Sequence, residues 1–364
     1  MLKLKNKKFL YILYGDGPSF IVRALVYKEE FEKRGIQVDY YRLNSQFISR
    51  CIHYFSFFYP IQMLFRALNK LFYIKQQYFL YKRVRSYDVI IAVKYIESKL
   101  LKNIKQISKA LLIYDFDDAV WLNMFYGEEE FSKKVSFADY VTSDNTYLAS
   151  HASIYNKKSF VVNGPSQIEK FIINNNERPL LKNNDSTIVL GWIGSPSSIF
   201  YLYKIYDALE LIGEKYSNVV LKIVGTGKER NLIPPFEKIK VVSIPSYDQA
   251  EMIKQVFSFD IGLYPLFLNE LSLGRGSLKA TIYMSSRTPV VCSAIGENLN
   301  IIKDEINGFL ASDTDEWVEK LSCLIESPAL RKEIGKKGFD FVETNYSTEN
   351  CLNQLFKVIS ESPD

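Results

Sequence analysis

The chain has 364 residues, 47% of them hydrophobic, and a formal net charge of +5. That length exceeds what one typical core organises, so two domains are expected, and the apolar content excludes a disordered chain. The four cysteines, Cys51, Cys292, Cys323 and Cys351, show no CxxC spacing, and His53 and His151 are the only histidines. Neither a disulfide framework nor a zinc site nor His-rich metal chemistry fits that inventory; a reducing compartment does.

The positive balance is local. Arg42, Arg50, Arg66, Lys70, Lys75, Lys82, Arg83 and Arg85 lie between Tyr40 and Tyr87, a stretch with no Asp or Glu. These eight exceed the whole net charge, so the rest of the chain is net acidic. Such an uneven distribution argues against general nucleic-acid affinity.

The N-terminus, MLKLKNKKFLYILYG, is basic and then apolar. Its apolar run is too short for a secretory leader and lacks a small-residue cleavage site, so residues 8–14 are expected to form a first buried strand. A turn follows at Gly15-Asp-Gly17-Pro-Ser19, then a helix over Phe20–Lys33 stopped by Gly35, then a strand over Gln37–Leu43. Gly17 is a candidate position for close approach of an acceptor substrate to the backbone, with a plain tight turn as the alternative.

Residues 45–85 are unusual. CIHYFSFFYPIQMLF, 51–65, carries no Lys, Arg, Asp or Glu, and RALNKLFYIKQQYFLYKRVR follows it with a basic-aromatic helical pattern. His53, Ser56, Pro60 and Gln62 interrupt the first part, so it does not read as a spanning helix. Helices packed on a sheet with solvated lysines are one reading. The other, preferred because acids are absent, is an interfacial patch in which Arg66, Lys70, Lys75, Lys82 and Arg83 meet an anionic membrane surface.

Asp88–Val93 and Ala110–Tyr114 are further strands, with a helix between them to about Ser108. The second ends in Asp115-Phe-Asp117-Asp118, three carboxylates that repel one another unless they cap a helix, bind a sugar hydroxyl, act as a base or hold a metal. Strands at Ala138–Ser143 and Ser159–Asn163 flank a helix at Asn145–Tyr155. The polar, Asn-rich stretch near 165–186 marks a domain boundary.

The pattern then restarts. Strands are expected at Thr187–Ile193, Val219–Val224, Lys240–Ile244, Phe259–Tyr264 and Val290–Ser293, separated by helices, and a last helix at Ser347–Ser360. The result is an α/β chain with a second doubly wound domain. Gly194-Ser195-Pro-Ser-Ser198 can open a helix whose free N–H groups receive phosphate, although N-capping alone would also select serine. In GRGSLKATIYMSSRTPVVCSAIGENLNIIKDEINGFL, 274–310, Arg275 and Lys279 stand four residues apart, before a strand and the glycine turn at Gly296. Cations so spaced share a helical face or flank a helix N-terminus, and either arrangement suits an anion such as a diphosphate.

With GWIGSPSSIFYL (191–202), KIVGTG (222–227), FDIGLYPL (259–266) and the 274–310 stretch assembled, the sequence resembles the retaining, nucleotide-sugar-dependent glycosyltransferases of family 4, which have the GT-B fold. LLIYDFDDAVW (111–121) and ADYVTSDNTYLASHA (138–152) are similar to a subgroup that serves bacterial envelope-polysaccharide synthesis. The resemblance implies two Rossmann-like domains facing across a cleft. An acceptor-side domain would span 1–165, a linker 166–186 and a nucleotide-sugar domain 187–346, with the helix 347–364 packing back on the first. It places Gly194, Ser195, Gly225, Pro245 and Gly296 at the donor and Arg275 and Lys279 on its phosphates. Gly17 and Asp115 fall on the acceptor side, and Asp117 or Asp118 would orient or deprotonate the acceptor hydroxyl.

The implied partners are a nucleotide-sugar donor and a glycan or lipid-linked acceptor, with no nucleic acid, no cofactor and no metal. The implied place is the cytoplasmic face of the cell membrane. The sequence also departs from the family. Gly274 and Ile282 stand where paired glutamates are usual, Ser286-Arg287 replaces a small residue followed by glycine, and GSPSS replaces an early basic residue. Two alternatives remain open. One is a non-catalytic relative acting as a partner subunit. The other is a metal-dependent enzyme using Asp115 and Asp117, whose spacing also matches the metal signature of the other large glycosyltransferase architecture.

Overall fold

The computed structural model describes residues 4–14, 18–45, 48, 51, 54, 58–123, 127–173, 187–227 and 232–360. The chain divides into two compact units: Met1–Gly164 with Cys351–Asp364, and Pro165–Asn350.

The first unit is a six-stranded, wholly parallel sheet in the order β2-β1-β3-β4-β5-β6. Its strands are β1 Lys8–Leu13, β2 Gln37–Arg42, β3 Val89–Val93, β4 Leu111–Phe116, β5 Tyr140–Ser143 and β6 Ser159–Val161. Between them run α1 Pro18–Arg23, α2 Lys28–Lys33, α3 Tyr59–Arg83, α4 Ser98–Ile107, α5 Gly127–Phe137 and α6 Thr146–Ala152. Successive side chains of a strand point to opposite faces, and both faces here are apolar. Leu10 and Ile12 enter one core with Leu100, Leu101 and Phe131; Phe9, Tyr11 and Leu13 enter the other with Tyr27 and Phe31.

The single helix expected over Phe20–Lys33 is broken. Ala24 leaves helical geometry at φ −135°, ψ −68°, and a short 3-10 turn at Leu25–Tyr27 joins α1 to α2. At this break Arg23 becomes a buried side chain, 3% exposed.

The second unit repeats the principle with the order β12-β11-β10-β7-β8-β9, again wholly parallel. Its strands are β7 Ile188–Ile193, β8 Val219–Val224, β9 Lys240–Ile244, β10 Ile261–Tyr264, β11 Val290–Ser293 and β12 Phe309–Ala311. Its helices are α7 Ile168–Ile173, α8 Tyr206–Lys215, α9 Gln249–Phe257, α10 Glu270–Leu273, α11 Leu278–Ser285, α12 Asn298–Ile301, α13 Thr314–Glu326 and α14 Pro328–Tyr346. The last helix, α15, is Thr348–Ser360.

Two details differ from expectation. β12 is only three residues long, too short to show a period. Part of the stretch expected to be linker is structured: α7 buries Ile168 and Phe171 in the second unit's core. Residues 174–186 lie outside the described residues. The entering and leaving chain are tied together. Ser166 N donates to Tyr346 O at 3.0 Å, and the Glu169 carboxylate accepts from Thr348 N at 2.8 Å.

From Cys351 onward α15 belongs to the first unit, where Cys351, Leu352, Leu355 and Phe356 join the core that holds Phe9 and Phe31. Phe356 lies 5.6 Å from the Phe31 ring and 6.0 Å from the Phe9 ring, and the Arg34 guanidinium sits 5.4 Å above it. Phe356→Ala is expected to destabilise the first unit by about 3–5 kcal/mol, read as a lowered midpoint in urea denaturation. An unchanged midpoint would show that α15 contributes nothing to that core.

Candidate functional site

In an open parallel sheet, ligands bind beyond the carboxyl ends of the strands, where the strand order reverses. In the second unit that reversal falls between β7 and β10, which are hydrogen-bonded neighbours. β7 ends at Ile193, and Gly194 and Ser195 lead into a ten-residue 3-10 helix, Pro196–Ile205. Ser198 folds this turn. Its Oγ accepts from Ser195 N at 3.1 Å and donates to Ser195 O at 2.9 Å. A Cβ on Gly194 would lie 2.4 Å from the Trp192 ring and 2.7 Å from Ser198 Oγ, so only glycine fits.

β8 brings Gly225 against the same turn. Its φ is +94°, and a Cβ would fall 1.9 Å from Gly194 O. Tyr247 closes the group by donating to Gly194 O at 3.2 Å, and Gly227 N donates to Pro245 O at 2.8 Å. Gly194, Ser195, Gly225 and Pro245 therefore gather in one place although 51 residues separate the first from the last.

The cations complete it from the far side of the reversal. Lys279 is in the first turn of α11, and Arg275 precedes that helix, so the pair flanks a helix N-terminus and does not share a helical face. Lys279 Nζ donates to Ser198 Oγ at 3.3 Å and lies 4.4 Å over the Trp192 ring. Arg275 Nε donates to Tyr201 OH at 3.3 Å, and Tyr201 OH meets Ser272 Oγ at 3.2 Å. Burial pushes the Lys279 ammonium down to about 7, and the Arg275 charge pushes the same way. A desolvated cation with a second cation beside it, facing small residues and hydroxyls, is suited to an anion that restores its charge.

Gly296 has φ +54° and stands against Leu273 and the Ser272 carbonyl. Two bonds anchor its loop: Ser277 Oγ donates to Asn298 Oδ1 at 3.0 Å, and Asn298 Nδ2 to Ser293 O at 2.9 Å. Gly274 caps α10, and Ile282 is a buried residue of α11. Arg287, in place of a glycine, nevertheless adopts φ +56°, and its guanidinium stacks 4.1 Å from Phe339.

In the first unit the carboxylates have partners. Asp115 is buried and takes two bonds from Arg23, Nε at 2.9 Å and Nη2 at 2.5 Å, and a third from Thr142 Oγ1 at 2.6 Å. The same guanidinium donates to Val162 O at 2.7 Å and reaches Asp144 at 3.3 Å. Burial pushes the Asp144 carboxyl up to about 6, with Arg23 pulling against it. Asp115 thus ties α1 to the ends of β4, β5 and β6.

Asp117 and Asp118 both pair with Lys94, at 2.8 Å for Asp117 Oδ1. Lys94 follows β3 at φ +53° and is 4% exposed. Burial would lower its ammonium, but the two carboxylates outweigh that and hold it above the ordinary value. Asp118, with a side chain 40% exposed against 18% for Asp117, is the more accessible of the two. Among the described residues no three His, Cys, Asp or Glu side chains gather as a metal cluster.

Gly17 and His53 lie outside the described residues. His151 stacks on Trp121 at 3.8 Å and pairs with Glu128 at 2.9 Å. Arg66, Lys70, Lys75, Lys82 and Arg83 all lie on α3. Sequence reasoning did not single out Arg23, Lys94, Trp192, Tyr201 or Tyr247. Only Lys94, placed just after a buried strand, carried a signal that could have been used.

Two six-stranded parallel sheets with these helices define the GT-B fold. The chain superposes over 98% of its length on all of Alr3699/HepE from Anabaena, crystallised with UDP and glucose (TM-score 0.65, 14% identity). It does so equally on all of a glycosyltransferase from Rickettsia africae (TM-score 0.69, 12% identity). Residues 187–327, all in the second unit, match the family model described as glycosyl transferases group 1. The chain is also 22% identical over 195 residues to the capsular polysaccharide biosynthesis glycosyltransferase CapM of Staphylococcus aureus. That match covers 52% of this chain and 50% of CapM, so the chain spans about half the length of this relative.

The lowered Lys279 value has a measurable consequence. In the unfolded chain an ordinary lysine binds its proton up to a pH near 10.5, but in the folded protein Lys279 releases it near 7. The unfolded state therefore holds more protons through that window, and this group's contribution to stability rises with pH across it. Lys279→Met is expected to be more stable than the wild type at pH 6.5, with the difference shrinking toward pH 10. A difference that does not vary with pH, by thermal denaturation, would show that Lys279 is not desolvated.

Proposed function

We propose that the chain is a glycosyltransferase that takes a sugar from a nucleotide-sugar donor bound to the second unit. The observation that carries this reading is the Arg275–Lys279 pair beside the Gly194–Ser198 turn, at the strand-order reversal of the unit that matches glycosyl transferases group 1. Breaking a sugar–phosphate bond leaves negative charge on the diphosphate, and fixed cations aimed there lower the barrier without a nucleophile. Lys279 is suited to the role because the arriving anion restores its proton. Asp118, with Asp117 and held by Lys94, would orient the acceptor hydroxyl. Hexosyl transfer, retention and metal independence follow the family resemblance. The CapM match supports a glycan or lipid-linked acceptor in envelope-polysaccharide synthesis.

Lys279→Ala and Arg275→Ala should each reduce turnover about 10²–10³-fold, measured as nucleotide release from a panel of nucleotide sugars. An unimpaired Lys279→Ala protein would sink the assignment. Donor binding without turnover by the wild type would favour the partner-subunit reading, which the residues at Gly274 and Ile282 motivate. Activity that survives a chelator removes metal use by Asp115 and Asp117.

We place the protein on the cytoplasmic face of the membrane, through α3. No helix among the described residues is long and apolar enough to cross a membrane. α3 instead exposes Leu64 at 59% and Leu71 at 65% beside its cations, the composition of an interfacial helix. Neutralising Lys70, Lys75, Lys82 and Arg83 together should abolish co-flotation with anionic vesicles, since each cation near such a surface contributes about 1 kcal/mol. Equal flotation of variant and wild type would defeat the membrane claim.

A further inference from the structure

The second unit carries an exposed apolar ledge beside its cations. Phe200 lies on the 3-10 helix that follows β7, and Phe267 and Leu268 follow β10, so all three stand at the strand-order reversal. The Phe200 and Phe267 rings stack at 6.1 Å with 7° between their planes. The buried Tyr201 ring lies 4.2 Å from the first and 6.1 Å from the second. Phe200 is 42% exposed, Leu268 75% and Leu271, on α10, 41%. Single exposed apolar residues need no explanation, but stacked rings with two leucines in the adjoining loop form a patch. Hydrogen bonds fix that loop: Leu266 N donates to Ser293 Oγ at 2.9 Å, and Asn269 Oδ1 accepts from Ser272 N at 2.8 Å.

The ledge is continuous with the anion site through Tyr201. Its ring packs with Phe200 and Phe267, its hydroxyl accepts from Arg275 Nε, and the Arg275 guanidinium lies 5.5 Å from its ring centroid. A diphosphate held by Arg275 and Lys279 has two ends to place along the strand order β10-β7-β8-β9. Just after β9 stands the exposed ring of Tyr247, held by its bond to Gly194 O, a flat surface of the kind on which a base stacks. With the nucleoside there, the sugar end falls on the β10 side, over the ledge.

We infer that the ledge receives the C–H face of the transferred sugar, and that this sugar is a 6-deoxyhexose whose methyl group lies against Leu268 and Leu271. The inference rests on the donor reading above. A methyl group there gains by leaving water. A hydroxymethyl would give up hydrogen bonds to water against side chains that offer none in return.

The full chain is titrated calorimetrically with UDP, dTDP and GDP, and then with donors in matched pairs that differ only at C6. The pairs are glucose and 6-deoxyglucose, and galactose and 6-deoxygalactose, on UDP or dTDP, and mannose and 6-deoxymannose on GDP. In at least one pair the 6-deoxy donor should bind about tenfold more tightly than its parent and than the bare nucleotide. Phe200→Ala should bind the bare nucleotide as the wild type does and lose that gain. Leu268→Ser, at a position too exposed to threaten folding, should bind both members of the pair alike, and it carries the test should Phe200→Ala fail to fold. Equal weakening of nucleotide and nucleotide sugar by Phe200→Ala assigns the ledge to the nucleoside and overturns the sugar claim. A wild type that binds nucleotide but gains nothing from any sugar, or gains equally from both members of every pair, also overturns it and leaves the donor reading standing. No nucleotide binding at all overturns the donor reading itself.

Discussion

A parallel sheet covered on both faces has no room for charge except at the ends of its strands. That constraint organises both units. Alternate residues of β1 and β7 are committed to one core or the other, so the sheet interiors are closed to polar chemistry. Arg23, Lys94, Asp115 and Asp144 consequently collect at strand ends in the first unit, and Ser198, Arg275 and Lys279 in the second.

The two units use that edge in opposite ways. In the first, opposite charges meet: Arg23 grips Asp115 with two donors, the strong geometry for this pair, and Lys94 joins Asp117 to Asp118. Electrostatics there are largely satisfied within the fold, and the Lys94 ammonium is held up. In the second, two cations are neighbours, and the Lys279 ammonium is pushed down. The first arrangement holds a sheet edge together. The second sets a desolvated cation beside another cation, which is why the proposed function rests on the second unit.

Much of the fold was legible. Strand positions at β1, β2, β7, β8 and β9 follow apolar runs bounded by Gly, Pro or polar clusters, and both sheets restart after the Asn-rich stretch. Of the site, Gly194 and Gly225 stood out because each directly follows a buried strand, where glycine permits a tight turn, and Arg275 and Lys279 because two cations four residues apart before a strand suit an anion. The aromatic walls did not stand out, since Trp192 and Tyr201 are indistinguishable from core residues until the chain has folded. Arg23 was missed for a different reason: its carboxylate lies 92 residues away, and no local pattern marks a long-range ion pair.

The sequence alone determined the periodicities, and with them two α/β halves, a basic and acid-free segment, and a cation pair beside a glycine turn. These are local properties, encoded within a few residues of each other. Only the tertiary structure decided which charges face each other. It turned Asp115 from a candidate site residue into a buried tie, joined Asp117 and Asp118 to Lys94, and set Lys279 on Ser198 from across the sheet. Charge pairing depends on distances through space, and in a parallel sheet adjacent strand ends are separated in sequence by whole helices.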